Sequence, residues 1–271
     1  LKLSEKLTKK FLNNNNFKNI DSLLMDYPDQ NLFSEKSLDI KFDYIVTNPP
    51  YERLKPDGYS AEGKNDIENY IKKIKSKRYD LSLTGNLNLY KLFLEKILRI
   101  IEYSNGKAGL IIPSTFTNDL SCSKIRKFII KNNIIKEIIL LPESAKTFVG
   151  VNQAFAILIL DFRNKDKNKN IKIGKIKKRT DLSRVNFDEV NLSFIEQLFP
   201  KELNIPILST NEMKLFKHLK KFPILKDNKA IINKRGEKGK KVSENYEYNS
   251  ENNKEFLDIK NIKKLVKNEI D

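Results

Sequence analysis

Three features of the sequence predict an α/β fold whose sheet is mostly parallel and ends in an antiparallel strand. Short apolar runs recur at 42–47, 107–112, 134–141 and 154–161. Helical periodicity fills 88–101 and 123–131 between them. No helix fits between the last two runs, which are therefore expected to pair antiparallel at one edge of the sheet.

Taken in order, residues 1–12 place Leu3, Leu7, Phe11 and Leu12 on one face of a basic amphipathic helix, ended by the Asn13–Asn16 run. Residues 17–24 read as a short strand with Asp21 near its exit, and Pro28 to Lys41 as a loop. Phe42 to Val46 then reads as a buried strand in which Ile45 and Val46 suit a central position. It must stop at Asn48-Pro49-Pro50-Tyr51, because neither proline can donate to a ladder. From Glu52 to Leu87 no strong periodicity emerges, which suggests a mobile functional loop. Leu89, Leu92, Phe93, Ile97 and Ile100 mark the next helix, Asn105-Gly106 a turn, and Lys107 to Ile112 a strand closed by Pro113-Ser114. The helix 123–131, the strand 134–141, the loop 142–152 and the strand 154–161 complete the first domain, 1–162.

Past Phe162 the composition changes. Residues 163–181 hold nine Lys or Arg against two Asp, so 163–200 reads as a basic linker or extension. A second, incomplete domain is expected over 201–271, with a helix near 211–220 and a basic, glycine-containing loop at 234–241.

The chemistry concentrates at Asn48-Pro49-Pro50-Tyr51. In an open α/β sheet, ligands bind at the C-terminal ends of strands. There, the Asn48 side-chain oxygen and the Pro49 carbonyl offer two fixed acceptors on adjacent residues, and Tyr51 offers an aromatic face. Such a pair of acceptors suits an amine whose lone pair is conjugated into a ring: drawing its hydrogens aside frees the lone pair to attack a methyl group.

Bulk properties set the bounds. The 271 residues carry 52 Lys and Arg against 35 Asp and Glu, a net charge of +17, which suits a polyanionic partner such as nucleic acid. The single cysteine, Cys122, excludes a disulfide framework and any multi-cysteine metal site, and no metal is expected. No signal peptide or long apolar run is present, so a cytoplasmic location away from membranes is expected. Cys122 opens a helix and reads as a helix-start residue rather than a nucleophile, His218 as a surface or boundary residue, and Tyr90 as packing.

Asn48-Pro49-Pro50-Tyr51 at the end of a hydrophobic strand, in this strand order, resembles the S-adenosylmethionine-dependent DNA N6-adenine methyltransferases, most of all type II enzymes with a recognition domain after the catalytic one. Asn88-Leu89-Tyr90, Gly109 to Ser114 and Thr147 to Gly150 match the family's following helix, strand and loop. The resemblance implies a partial class I methyltransferase (Rossmann-like) sheet without the first two strands, and site-specific adenine methylation in a restriction–modification system. It implies that Asn48 and Pro49 hold the target amine within the Asn48-Pro49-Pro50-Tyr51 catalytic motif, and that Tyr51 and Phe148 stack on the flipped base. It further implies that Asp21, together with Asn48, binds S-adenosylmethionine. The partners expected are double-stranded DNA and either the missing N-terminal part or a restriction subunit.

The family's glycine-containing cofactor loop and the ribose-binding acid after it are not found. The chain therefore reads as an N-terminally truncated remainder that alone binds cofactor weakly or not at all, with the edge of 43–47 unpaired. Two alternatives stay open: methylation of a glutamine amide in protein, and a non-catalytic DNA-binding remnant or subunit.

Overall fold

The computed structural model describes residues 21–25, 41–58, 60–148, 152–163, 169–219 and 221–222. The expected helix at 1–12 and the basic loop at 234–241 lie outside them. The chain divides into two compact units, Leu1–Lys221 and Phe222–Asp271.

In the first unit the described elements run β1 (Tyr44–Thr47), α1 (Ala61–Lys75), α2 (Leu89–Ser104), β2 (Lys107–Pro113), α3 (Ser123–Lys131), β3 (Ile135–Leu141), β4 (Phe155–Asp161), β5 (Asn170–Lys175), β6 (Phe187–Asn191), α4 (Leu192–Leu198) and α5 (Thr210–Leu219). One six-stranded sheet has the order β1-β2-β4-β3-β5-β6. β1 and β2 pair in parallel, β4 runs antiparallel to both β2 and β3, and β5 returns parallel to β3. The C-terminal ends of β1, β2 and β3 therefore meet the start of β4 at one end of the sheet, where Phe155 is opposite Pro113 on one side and Leu141 on the other.

The core lies between the helices and the sheet. Leu94, Leu98 and Ile101 of α2 and Ile125 and Ile129 of α3 are fully buried with Leu110, Ile112, Ile138, Leu158 and Leu160 of the strands. At about 25 cal/mol per Å² of apolar surface, this burial is the dominant favourable contribution to the fold. Among the described residues no helix is long and apolar enough to cross a membrane.

The structure departs from the sequence reading in five places. Residues 21–25 form a turn, closed by the Leu24 amide on the Asp21 carbonyl at 3.2 Å, and not a strand exit; 17–20 lie outside the described residues. Helix α1 occupies much of the segment read as a mobile loop: Ile67, Tyr70, Ile71 and Ile74 recur at helical spacing, and the Ser60 side chain caps the first turn by accepting from the Gly63 amide. The antiparallel pair β3–β4 forms as expected, but β4 lies inside the sheet and not at its edge.

The sheet also continues beyond Phe162, because Ile171 and Ile173 point into the core while Lys172 and Lys175 face out. Finally, β1 is half exposed and not buried. Ile45 packs on the core, but Tyr44 and Val46 on the opposite face are 66% and 87% exposed, and β1 is the outermost strand of the described sheet.

The start of β1 is nonetheless held closely. Asn105 takes a left-handed conformation at the end of α2. Gly106 follows it so near β1 that a Cβ there would lie 2.3 Å from the Phe42 carbonyl oxygen. Arg163 donates to the Asp43 carboxylate at 2.7 Å and to its carbonyl at 3.0 Å, with its guanidinium 5.0 Å from the Tyr44 ring centroid.

Candidate active site

Where β1 ends, Asn48 and Pro50 are exposed and Pro49 is buried, so the chain turns out of the sheet with the Asn48 amide at the surface. Tyr51 returns toward the sheet. Its hydroxyl donates to Asn48 Oδ1 and also lies 3.1 Å from the Ile111 carbonyl oxygen of β2. The Tyr51 ring leans on Phe155 at 5.5 Å between centroids and meets Tyr90 edge-on at 6.5 Å. Phe148 completes the cluster, edge-on to Phe155 at 5.1 Å. Asn48, Tyr51 and Phe148 are thus gathered at one end of the sheet around Phe155, which the sequence reading did not single out. Its signal was available: it begins the strand antiparallel to β2, so its ring falls at the end where β1 and β2 finish. Thr147, next to Phe148, carries a buried hydroxyl with no hydrogen-bond partner among the described residues.

The exit of the motif is fixed. The Leu89 amide donates to the Glu52 carbonyl at 2.9 Å, and the Leu54 amide to the Leu87 carbonyl at 2.8 Å, which ties residues 52–54 to the start of α2. Two buried charges on α2 hold the segment that returns to this point. Lys91 Nζ donates to the carbonyls of Thr84 at 2.8 Å, Asn86 at 2.7 Å and, more weakly, Ser121 at 3.4 Å. The Glu95 carboxylate accepts from the Leu81 amide at 3.0 Å, the Ser82 amide at 2.8 Å and the Ser82 hydroxyl at 2.6 Å. Gly85, at φ +67°, packs so tightly that a Cβ would lie 2.8 Å from Ser121 Cβ. Burial of the Lys91 ammonium lowers its pKa, yet its three hydrogens match the three carbonyls. The loop beside the motif is therefore anchored at 81–86 by the two buried charges of α2.

Asp21 is exposed, in the turn 21–25. One of its carboxylate oxygens accepts from the Leu23 amide at 2.9 Å, and Tyr70 of α1 donates to the same carboxylate. Burial, and then that bond, hold the Tyr70 phenol well above its ordinary range. The buried Tyr79 hydroxyl donates to the Leu23 carbonyl at 2.7 Å, and Lys96 Nζ donates to the Ser22 carbonyl and to that of Met25 at 3.0 Å. The turn is thus gripped from α1 and α2, and among the described residues the Asp21 carboxylate accepts from the Leu23 amide and Tyr70.

Of the remaining singled-out residues, Tyr90 borders this cluster through Tyr51, and Cys122 and His218 do not contribute to it. Tyr90 is 2% exposed, 3.2 Å from the buried Cys122 thiol at the start of α3, and burial raises the pKa of both groups. His218 is exposed in the last turn of α5. Among the described residues no cluster of His, Cys, Asp and Glu is placed to hold a metal ion.

Comparison with known proteins adds the family. Residues 2–148 match the family described as Eco57I restriction-modification methylase. Curated relatives include the type II methyltransferase M.AccI of Acinetobacter calcoaceticus, 26% identical over 63% of this chain and 28% of its own length. The type II methyltransferase M.BstVI of Geobacillus stearothermophilus is 30% identical over 48% of this chain and 21% of its own. The chain therefore spans about a quarter of the length of these two relatives. Among solved structures, the type I restriction-modification methyltransferase subunit of Streptococcus thermophilus aligns with a TM-score of 0.43 and 18% identity, over 70% of this chain and 41% of that one.

Proposed function

The chain belongs to the Eco57I restriction-modification methylase family, and from that premise we propose that Asn48-Pro49-Pro50-Tyr51 is the target-base half of a site that methylates the N6 amine of adenine in DNA. The observation that carries this reading is the place of the motif. It stands at the C-terminal end of β1, beside the ends of β2 and β3, with the Asn48 amide exposed and aromatic rings gathered next to it.

Asn48 Oδ1 and the Pro49 carbonyl accept the two amine hydrogens, which turns the nitrogen lone pair outward as the nucleophile. Tyr51, backed by Phe155, and Phe148 stack on the base, which leaves its duplex because its amine is otherwise paired; stacking offsets an unstacking cost of a few kcal/mol. S-adenosylmethionine supplies an electrophilic methyl group when bound. The exposed Asp21 carboxylate would accept from the cofactor's adenine amine, and Asn48 would contribute to the same cofactor site. With the cofactor bound, that nitrogen would form its N–C bond as the methyl–sulfur bond broke, and the extra proton on nitrogen would pass to water. The net charge of +17 supports a nucleic-acid partner, with residues 201–271 opening the segment that reads the DNA.

The test is the modified nucleoside. DNA from cells carrying the gene in its own genomic setting is digested and its nucleosides separated. N6-methyldeoxyadenosine that disappears with Asn48→Ala supports the reading. Its persistence, or a signal lost with Asn48→Ala only from methylcytosine, overturns it.

A further inference from the structure

We propose that the Tyr51 hydroxyl is a positioning group for Asn48, holding the side-chain oxygen of that exposed amide toward the space an amine donor enters. The functional half of this inference rests on the reading of Asn48 as amine acceptor.

An asparagine side chain presents either its oxygen or its NH2 group to a given side, and the two differ in size by almost nothing. A flipped Asn48 would offer two N–H donors to an incoming amine, which also donates. Selecting the correct face needs a fixed donor, and on this exposed residue the recorded side-chain partner is the Tyr51 hydroxyl. The hydroxyl is itself fixed from three sides. Its ring is wedged between Phe155 and the edge of Tyr90, and its oxygen reaches the Ile111 carbonyl on the neighbouring strand. Burial raises the Tyr51 pKa, so the hydrogen is retained through the neutral range.

The arithmetic of donors and acceptors adds a second property. A phenol has one hydrogen, and here two acceptors lie within its reach, Asn48 Oδ1 and the Ile111 carbonyl. With the site empty the hydrogen satisfies Asn48. When an amine arrives, the second lone pair of Oδ1 accepts it, and the phenol hydrogen is free to rotate to Ile111 without any heavy atom moving. The acceptor is thus oriented before binding and released at no cost in rearrangement. A phenylalanine at 51 would offer the same ring and none of this.

Tyr51→Phe separates the hydroxyl from the ring. In protein labelled with 15N-asparagine, the Asn48 side-chain amide is assigned as the signal lost in Asn48→Ala. It is expected to move toward free-asparagine values and exchange faster with water in Tyr51→Phe, with backbone signals elsewhere kept. The binding ratio between single-stranded dodecamers of deoxyadenylate and of thymidylate, bases that need no extrusion, is expected to fall roughly two- to tenfold, the worth of one hydrogen bond. An Asn48 amide signal unchanged by Tyr51→Phe overturns the proposal. If that signal moves while Asn48→Ala itself leaves the binding ratio untouched, the hydroxyl still positions Asn48, and it is the amine-acceptor reading that fails.

Discussion

Two buried cations, Lys91 and Arg126, solve the same problem on different scales. Both are fully buried, both bond almost entirely to backbone carbonyls, and among the described residues neither forms an ion pair with a carboxylate. Lys91 works locally, on carbonyls five and seven residues away and on Ser121. Arg126 of α3 works at long range. Its Nη1 donates to Phe116 at 2.8 Å and Asp119 at 2.6 Å, just after β2. Its Nε and Nη2 reach Glu202, Leu203 and the Asn204 side chain at 2.8–3.2 Å. Leu203 stands at φ +48°, a left-handed conformation that costs a leucine energy and is held by this grip. The planar, five-donor fork of arginine can join segments that an ammonium cannot span. One cation therefore sets the loop beside the candidate site, and the other fastens the chain after α4 to the sheet.

The comparison breaks first at Arg126. Arg126→Met is expected to destabilise the protein by about 3–5 kcal/mol, since several buried carbonyls lose their donors together. Amide exchange should rise in 114–122 and 199–206 simultaneously; a rise confined to one segment would show that Arg126 does not couple them. Lys91→Met should cost less, about 2–3 kcal/mol, because it leaves three carbonyls without a donor, one of them only weakly held, where Arg126→Met leaves four carbonyls and the Asn204 side chain. Its exchange signature should stay within 52–54 and 81–89, and spread to 199–206 would erase the distinction between the two cations.

The smallest expected effect concerns the phenols near the site. Tyr51, Tyr70 and Tyr90 have raised pKa values, each from burial first. Below pH 10 they are protonated in both folded and unfolded chains. Above it, the unfolded chain releases their protons more readily, so their contribution is lost as pH rises through the folded values. Denaturant midpoints should fall between pH 10 and 11 while a set of tyrosines fails to titrate by absorbance. Full titration of all ten tyrosines near pH 10 in folded protein would contradict the burial.

Much of this was legible in the sequence, and the failures share a cause. β2 and β4 were readable to within a residue or so because their apolar runs are nearly unbroken, and β3 and α3 because Ile138 to Leu141 and Ile125, Phe128, Ile129 and Ile130 keep a clear apolar pattern despite their charges. β5 was hidden by its own lysines: charge density at 163–181 drew attention from the alternation of Ile171 and Ile173 with Lys172. α1 was obscured in the same way, its apolar spacing diluted by Lys and Asn. Asn48, Tyr51 and Phe148 could be singled out because prolines and aromatics near strand ends carry geometric meaning, and the structure brings them to one end of the sheet. Lys91, Glu95 and Arg126 could not, since a charged residue on a helix looks the same in sequence whether it meets water or a carbonyl. The i,i+4 spacing of Lys91 and Glu95 suggests a surface pair, yet both turn inward to separate parts of one loop.

The placement of β4 between β2 and β3 has a consequence for synthesis. Those two strands share no ladder, so neither helps the other until Phe155–Asp161 has been made. At about 5–20 residues per second, a ribosome that has completed β2 needs roughly 2–10 s to reach Asp161. β2 waits through all of that interval and β3 through its last part, about 1–4 s, each with the edge that β4 will cover open to pairing with other chains. The emergence of one seven-residue strand covers both of those edges at once and leaves β3 only the edge that β5 takes later, so it removes most of the open strand edge in a single step.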